Sequence, residues 1–142
     1  MSTNVTLTGR IGKDVDLRFL PSGKAVASFP LVTSRNKKDQ DGNWSETETT
    51  WWQVSGFDTL AENIAESLSK GDAVIVVGRA YTETYKGRDG NERQSLKVEA
   101  YAVGPDLKRQ SAKLSRTERA PGRSTAAADD PWATPGTDEP PF

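Results

Sequence analysis

The chain has 142 residues, no cysteine, no histidine, and 19 Lys plus Arg against 20 Asp plus Glu, a formal net charge of −1. These counts exclude disulfides, thiol nucleophiles, haem ligation, His-based proton relays and the usual Cys/His zinc sites. With no signal-peptide core at the start and no run near the ~20 apolar residues of a membrane span, a soluble cytoplasmic protein without membrane contact is expected.

In chain order, Val5, Leu7 and Ile11 alternate with Thr6, Thr8 and Arg10, and Val15, Leu17 and Phe19 alternate with Asp14, Asp16 and Arg18. Both runs have the period of two of a half-buried strand. Pro21-Ser22-Gly23 signals a turn, and Ala25, Ala27, Phe29 and Leu31 share one parity in the strand that follows. The polar stretch Arg35–Glu46 holds Asp41-Gly42-Asn43, a hairpin signal, and Thr47–Phe57 is β-rich again.

The period then changes. Leu60, Ala61, Ile64, Ala65 and Leu68 fall at helical spacing, Thr59 and Glu62 have the spacing of a capping box, and Gly71 offers a stop. Ala73–Thr84 contains Val74-Ile75-Val76-Val77, a run suited to a central strand. A Lys86–Arg93 loop carries the hairpin signal Asp89-Gly90-Asn91, and Leu96, Val98, Ala100 and Ala102 alternate along the last strand.

Three β segments, one helix and two β segments predict an all-β fold: a five-stranded OB-fold barrel with the helix between strands 3 and 4. A β-sandwich needs about seven strands and leaves the helix unexplained.

The apolar fraction of 34% is below the ~45–50% of ordinary domains, a figure that also counts Gly. The deficit lies at the C-terminus, where Leu114, Trp132 and Phe142 are the only large apolar residues after residue 110. Residues 1–110 are expected to form the folded domain and residues 111–142 a disordered linker with an acidic tip. Charge follows the same division. Residues 1–110 carry 15 basic and 15 acidic residues, Lys113, Arg116, Arg119 and Arg123 make the linker basic, and Asp129, Asp130, Asp138 and Glu139 make the end acidic.

Trp51-Trp52 is the most informative dipeptide. Adjacent strand residues point to opposite faces, so Trp52 joins Val54 inside, while Trp51 shares its face with Gln53, Ser55 and Phe57. Rings among polar groups suit bases stacking on aromatics while polar side chains meet sugars and phosphates. The competing reading has Trp51 and Phe57 cover a subunit interface or the helix, and parity alone does not choose.

Arg35, Lys37 and Lys38 lie on one long connection with Trp44, and Tyr85, Lys86, Arg88 and Arg93 on the other. On an OB barrel these connections flank the binding face, where cations would meet phosphates. The acidic residues among them also allow plain solvated loops. Gly9-Arg10-Ile11-Gly12 lacks the ending of a phosphate-binding glycine loop. The pairs Asp14/Asp16 and Asp39/Asp41 are the only hint of a carboxylate-based nuclease, and each has a mundane reading as strand or turn. No enzyme activity, catalytic residue, metal or cofactor is expected.

The chain ends Asp138-Glu139-Pro140-Pro141-Phe142. An aromatic residue bearing the terminal carboxylate suits capture in an apolar pocket lined by Arg or Lys, and the prolines limit the entropy lost on docking. Asp129-Asp130-Pro131-Trp132 is a candidate second contact.

Taken together, Asn4–Gly12, Asp16–Phe29, Ala61–Gly71, Val74–Arg79 and the two tail segments resemble the bacterial single-stranded DNA-binding proteins, the tail most of all the actinobacterial members. The resemblance implies a homotetramer that binds single-stranded DNA, coats and protects it without regard to sequence, and recruits replication, repair and recombination proteins through the C-terminal tip. A cytoplasmic, nucleoid-associated location goes with that role. It places base-stacking aromatics at Trp51, Phe57 and Tyr85. One departure stands out: a position that often carries another stacking Trp in the family is Lys37 here. Trp44 follows seven residues later, and its spacing leaves open whether it substitutes. The alternative from another class is a protein-interaction OB module that does not bind nucleic acid.

Overall fold

The computed structural model describes residues 1–117. Its elements are β1 (Thr3–Ile11), β2 (Asp16–Phe19), β3 (Ala25–Lys38), β4 (Trp44–Phe57), α1 (Asp58–Ser67), β5 (Ala73–Lys86) and β6 (Glu92–Pro105). The sheet order is β1-β5-β6-β4-β3-β2, and a further β1–β3 pairing closes the circuit. Every pairing is antiparallel except that of β4 with β6. β1 changes partner at its end: Arg10 pairs with both Ala73 and Val32.

The N-terminal segment, expected as one strand, is broken. Ile11 faces Leu31 and Asp16 faces Ser28, so four residues of the first segment run opposite two of β3. Gly12 keeps contact at the break, its amide donating to the Pro30 carbonyl at 2.8 Å. With β1 and β2 counted as one interrupted strand, the chain has the five strands of an OB-fold, and the helix lies between the third and fourth.

The core follows the predicted parities except at the end of β6, where a bulge at Tyr101 leaves Ala102 exposed and packs Val103 against the core in its place. Ala25, Ala27, Phe29 and Leu31 of β3 are buried, and Ile11, Val54, Val74, Val76, Val98 and Ala100 meet them from the other strands. Burying side chains such as Phe29 or Leu31 contributes about 1.5–3 kcal/mol each. α1 adds Ala61 and Ile64, and Leu68 follows just past its end. The helix seats directly on Gly56, where an added Cβ would come within 2.9 Å of Ile64 Cδ1.

Four local expectations are corrected. β2 is exposed along its whole length, because it pairs with β3 alone at the sheet edge; Leu17 and Phe19 therefore stay exposed rather than half-buried. The Thr59–Glu62 capping box does not form: the helix starts at Asp58, with Phe57 in the N-cap position and no side-chain cap. The helix ends at Ser67, so Gly71 is not its stop. Gly71 instead takes φ +91° in the next turn, where its amide donates to the Ile11 carbonyl at 2.8 Å.

The fourth correction concerns the two long loops: Arg35–Glu46 is mostly strand, and Lys86–Arg93 gives its two ends to strand. β3 runs to Lys38 and β4 starts at Trp44, while β5 runs to Lys86 and β6 starts at Glu92. Only Asp39–Asn43 and Gly87–Asn91 are left as turns, and both strand pairs continue beyond the barrel as two-stranded arms. Met1–Ala112 form one compact unit. No described helix is long and apolar enough to cross a membrane.

Candidate nucleic-acid interface

β4 divides its side chains as its sequence alternates. Val54 and Gly56 are buried, and Trp52 is half-buried against the core with its Nε1 donating to Thr33 Oγ1 at 3.0 Å. Trp51 faces outward and is 57% exposed. Its ring lies over Gly12, where an added Cβ would come within 2.6 Å of Trp51 Cζ3. Gly12 thus leaves the space that the ring occupies.

Strand register carries the outer face across the sheet. Ser28, Ser55, Glu99, Arg79 and Asn4 form one row from β3 to β1. Pro30, Gln53, Lys97 and Tyr81 form the next. Further out along the β5–β6 arm, Tyr85 pairs with Arg93 on this same face, and its ring is 49% exposed. Trp51, Phe57, Tyr81 and Tyr85 therefore share one side of the sheet with Gln53 and Ser55 between them.

The β3–β4 arm contains a device that spacing alone conceals. Thr33 pairs with Thr50 but Arg35 pairs with Thr47, so Glu48 and Thr49 together oppose Ser34. This is a β-bulge, and Glu48 has φ 55°, the left-handed conformation common at such a position. The extra residue reverses the parity of β4 beyond it. Trp44 pairs with Lys38 and so lies on the face of Val32 and Trp51, although an odd spacing from Trp51 would place it on the other. Trp44 is 69% exposed.

The predicted cations are divided by the same geometry. Lys38 and Arg93 are on the ring-bearing face, Arg35, Lys37 and Lys86 are on the opposite side of their arms, and Arg88 is in the β5–β6 turn. Several are already paired. Arg35 lies 3.9 Å from Glu48 and Arg93 lies 3.2 Å from Asp89. Lys37, Lys38, Lys86 and Arg88 make no ion pair among the described residues.

Two rings carry cations. Lys24 Nζ is 5.2 Å from the Phe57 ring centroid, and the Arg79 guanidinium is 4.7 Å from that of Tyr81. The hydrogen bond from Arg79 to Glu99, at 2.9 Å, raises the Arg79 pKa above its ordinary value. In the β5–β6 turn the Asn91 amide and then the Arg93 side chain hold the Asp89 carboxyl below its ordinary value.

The acidic pairs serve local structure. Asp14 accepts from the Lys70 amide at 2.9 Å, Asp16 binds Arg18 at 2.8 Å, and Asp39 accepts from the Asn43 amide at 2.8 Å. Among the described residues no group of three or more carboxylates is placed to hold a metal ion. Asp138, Glu139, Pro140, Pro141, Phe142 and the Asp129–Trp132 segment lie outside the described residues.

Tyr81 was missed by the sequence reading. The signal was present, since Tyr81, Glu83 and Tyr85 share one parity and one face. The face of Trp44 had no such signal, because nothing in its spacing announces a bulge.

Comparison with known proteins agrees with this geometry. Residues 2–105 match the model of the single-strand binding protein family. A single-stranded DNA-binding protein of Mycobacterium tuberculosis is 35% identical over 99% of this chain and 98% of its own length. One from Corynebacterium glutamicum is 44% identical over 82% of this chain and 52% of its own. The crystal structure of the small single-stranded DNA-binding protein from Streptomyces coelicolor superposes with a TM-score of 0.70 at 30% identity, covering 76% of this chain and 97% of that one. The chain belongs to the single-strand binding protein family, with relatives among the actinobacteria.

Proposed function

We propose that this protein binds single-stranded DNA without regard to sequence, coating it through aromatic stacking and phosphate contacts. The observation that carries the reading is the outer barrel face, where exposed Trp51 stands among Gln53, Ser55, Phe57, Tyr81 and Tyr85. Stacking tolerates every base because every base has a π face, and unpaired cations on the arms match a backbone whose charge does not depend on sequence. Trp51, Phe57, Tyr81, Tyr85 and Trp44 are assigned to bases. Lys37, Lys38, Lys86 and Arg88, with Arg35 and Arg93 once released from their ion pairs, are assigned to phosphates.

The remainder of the outer face supports a homotetramer. Ile75 and Val77 of β5 are each 37% exposed there, and Tyr101 stands exposed at the β5–β6 bulge beside them. A patch of this kind, away from Trp51, fits a subunit contact rather than a polar ligand. Residues 1–110 would then be the binding and assembly domain. Residues 111–142 would be a linker whose acidic, Phe-terminated tip recruits replication, repair and recombination proteins.

Tryptophan fluorescence during titration with oligo-dT at low salt tests the reading. Quenching by the single strand, and far less by duplex, is expected, and an unchanged signal with oligo-dT would overturn it. Light scattering on the same sample should give four times the 15.5 kDa chain mass. Deleting residues 138–142 should leave DNA affinity equal or slightly higher while abolishing capture of repair proteins; capture that survives the deletion would remove the role given to the tip.

A further inference from the structure

Beyond β6 the chain turns back on itself. The Asp106 amide donates to the Ala73 carbonyl at 2.9 Å, and the Lys108 amide donates to Asp106 Oδ1 at 3.1 Å. Gln110 Nε2 donates to two carbonyls, those of Ala73 at 2.8 Å and Asp106 at 2.7 Å. These bonds pin residues 106–110 against the start of β5. From the other side comes Arg10, at the end of β1, with Nη1 donating to the Gly71 carbonyl at 3.0 Å.

Arg10, Asn36, Ala73, Asp106, Lys108, Arg109 and Gln110 together enclose a cavity of about 210 Å³. Three cations face one carboxylate, and that carboxylate already accepts a backbone amide. Arg10, Lys108 and Arg109 make no ion pair among the described residues, whereas Arg35, Arg79, Arg93 and Lys97 all do. Three cations against one carboxylate give the cavity a net positive lining, and the Asn36 side-chain amide adds a neutral donor.

The cavity also stands in line with the proposed strand path. Val32 is flanked by Trp51 on β4 and by Arg10 on β1. Asn36 lies on the same face of β3 as Val32, two register positions short of the Lys38–Trp44 pair. A chain leaving the Trp51 ring across Val32 therefore reaches the cavity before it reaches Lys38 and Trp44.

We propose that this cavity binds a phosphate group, supplied by the backbone of a nucleic acid strand running off the Trp51 ring. The proposal rests on the single-stranded DNA reading above and adds to it a subsite formed by Arg10, Lys108 and Arg109, off the two arms. A free phosphate or pyrophosphate has the same chemistry and is the rival source.

The test is the salt dependence of oligo-dT binding in the full-length protein and in the double variant Lys108→Gln/Arg109→Gln. Both side chains project from an exposed turn, and the backbone bonds that shape it remain. The slope of log affinity against log salt should become shallower by about 0.7, the loss of one neutralised phosphate on a single strand. The difference should vanish with the shortest oligo-dT that still quenches tryptophan, which fills the Trp51 ring without reaching the cavity. Equal slopes with a long oligomer would overturn the proposal, and so would a difference that persists at the shortest length, since that would be general electrostatics. Pyrophosphate titrated by calorimetry separates the sources: binding lost in the variant while the oligo-dT slope is unchanged would overturn the strand as occupant. Failure of wild-type protein to quench at all would instead strike the DNA reading itself.

Discussion

The two arms have the same two-stranded architecture and differ in how the ladder is held. The β5–β6 arm is an unbroken ladder from Tyr81–Lys97 to Lys86–Glu92. Lys97 meets Glu83 at 3.1 Å and Arg93 meets Asp89 at 3.2 Å, so two ion pairs brace the ladder while Lys86 and Arg88 stay unpaired among the described residues. The β3–β4 arm is interrupted by the bulge at Glu48 and has one long ion pair, Arg35–Glu48 at 3.9 Å, while Lys37 and Lys38 are unpaired. One arm presents the Tyr85 ring on a stiffened frame. The other carries Trp44 on a frame that the bulge has turned, with two unpaired cations as on the first. Two extensions of one sheet thus differ in bracing and in where they place a ring, not in free charge.

The largest effects should come from the rings. Trp51→Ala is expected to cost about 1–3 kcal/mol for the base it stacks, and Trp44→Ala an amount in the lower part of that range. Deleting Glu48 would remove the extra residue and turn Trp44 to the far face, so the deletion should reproduce the Trp44→Ala loss. Adding Trp44→Ala to the deletion should cost nothing more. Oligo-dT affinities of the four variants check this, and a silent Trp44→Ala would leave the bulge without a role in binding.

A smaller effect separates the free cations from the paired ones. Lys37→Gln and Lys38→Gln should each make the salt slope shallower by up to about 0.7, because those cations are free to neutralise phosphates. Arg93→Gln should change it less, since Arg93 must first leave Asp89. Equal slope changes for Lys38→Gln and Arg93→Gln would show that Asp89 does not hold Arg93 back.

Much of this was legible in the residues, for identifiable reasons. The Ala25–Leu31 and Trp51–Phe57 alternations read correctly because one face of each is buried, and a period of two then has only one register that works. The outer ends of the arms read as loops because both their faces meet solvent, and a polar ribbon has no apolar period to detect. β2 misled because Leu17 and Phe19 alternate properly but end at an uncovered edge. The cavity at Arg10 draws residues from β1, β3 and the chain beyond β6, which only the closed barrel brings together. Lys108 and Arg109 gave no warning of it in their own neighbourhood.

The smallest expected effect bears on the stiffness of the β5–β6 arm. Asp89 is the hub of its turn: its carboxylate accepts from the Asn91 amide at 3.1 Å, from the Asn91 side chain at 3.2 Å and from Arg93 at 3.2 Å. These donors favour the charged form, so the folded pKa is below the ordinary value of 3.8. Such a group stabilises the turn at pH values above its unfolded pKa, and the contribution is lost as pH falls through the lower folded value. Amide exchange at Asn91 should therefore show full protection at neutral pH, after correction for the intrinsic rate, and loosen only in acid, below about pH 4. Asp89→Asn should remove the acid transition and leave Asn91 less protected at every pH. A turn equally protected above and below that range would show that Asp89 does not brace it, and the β5–β6 arm would then be no stiffer than its partner.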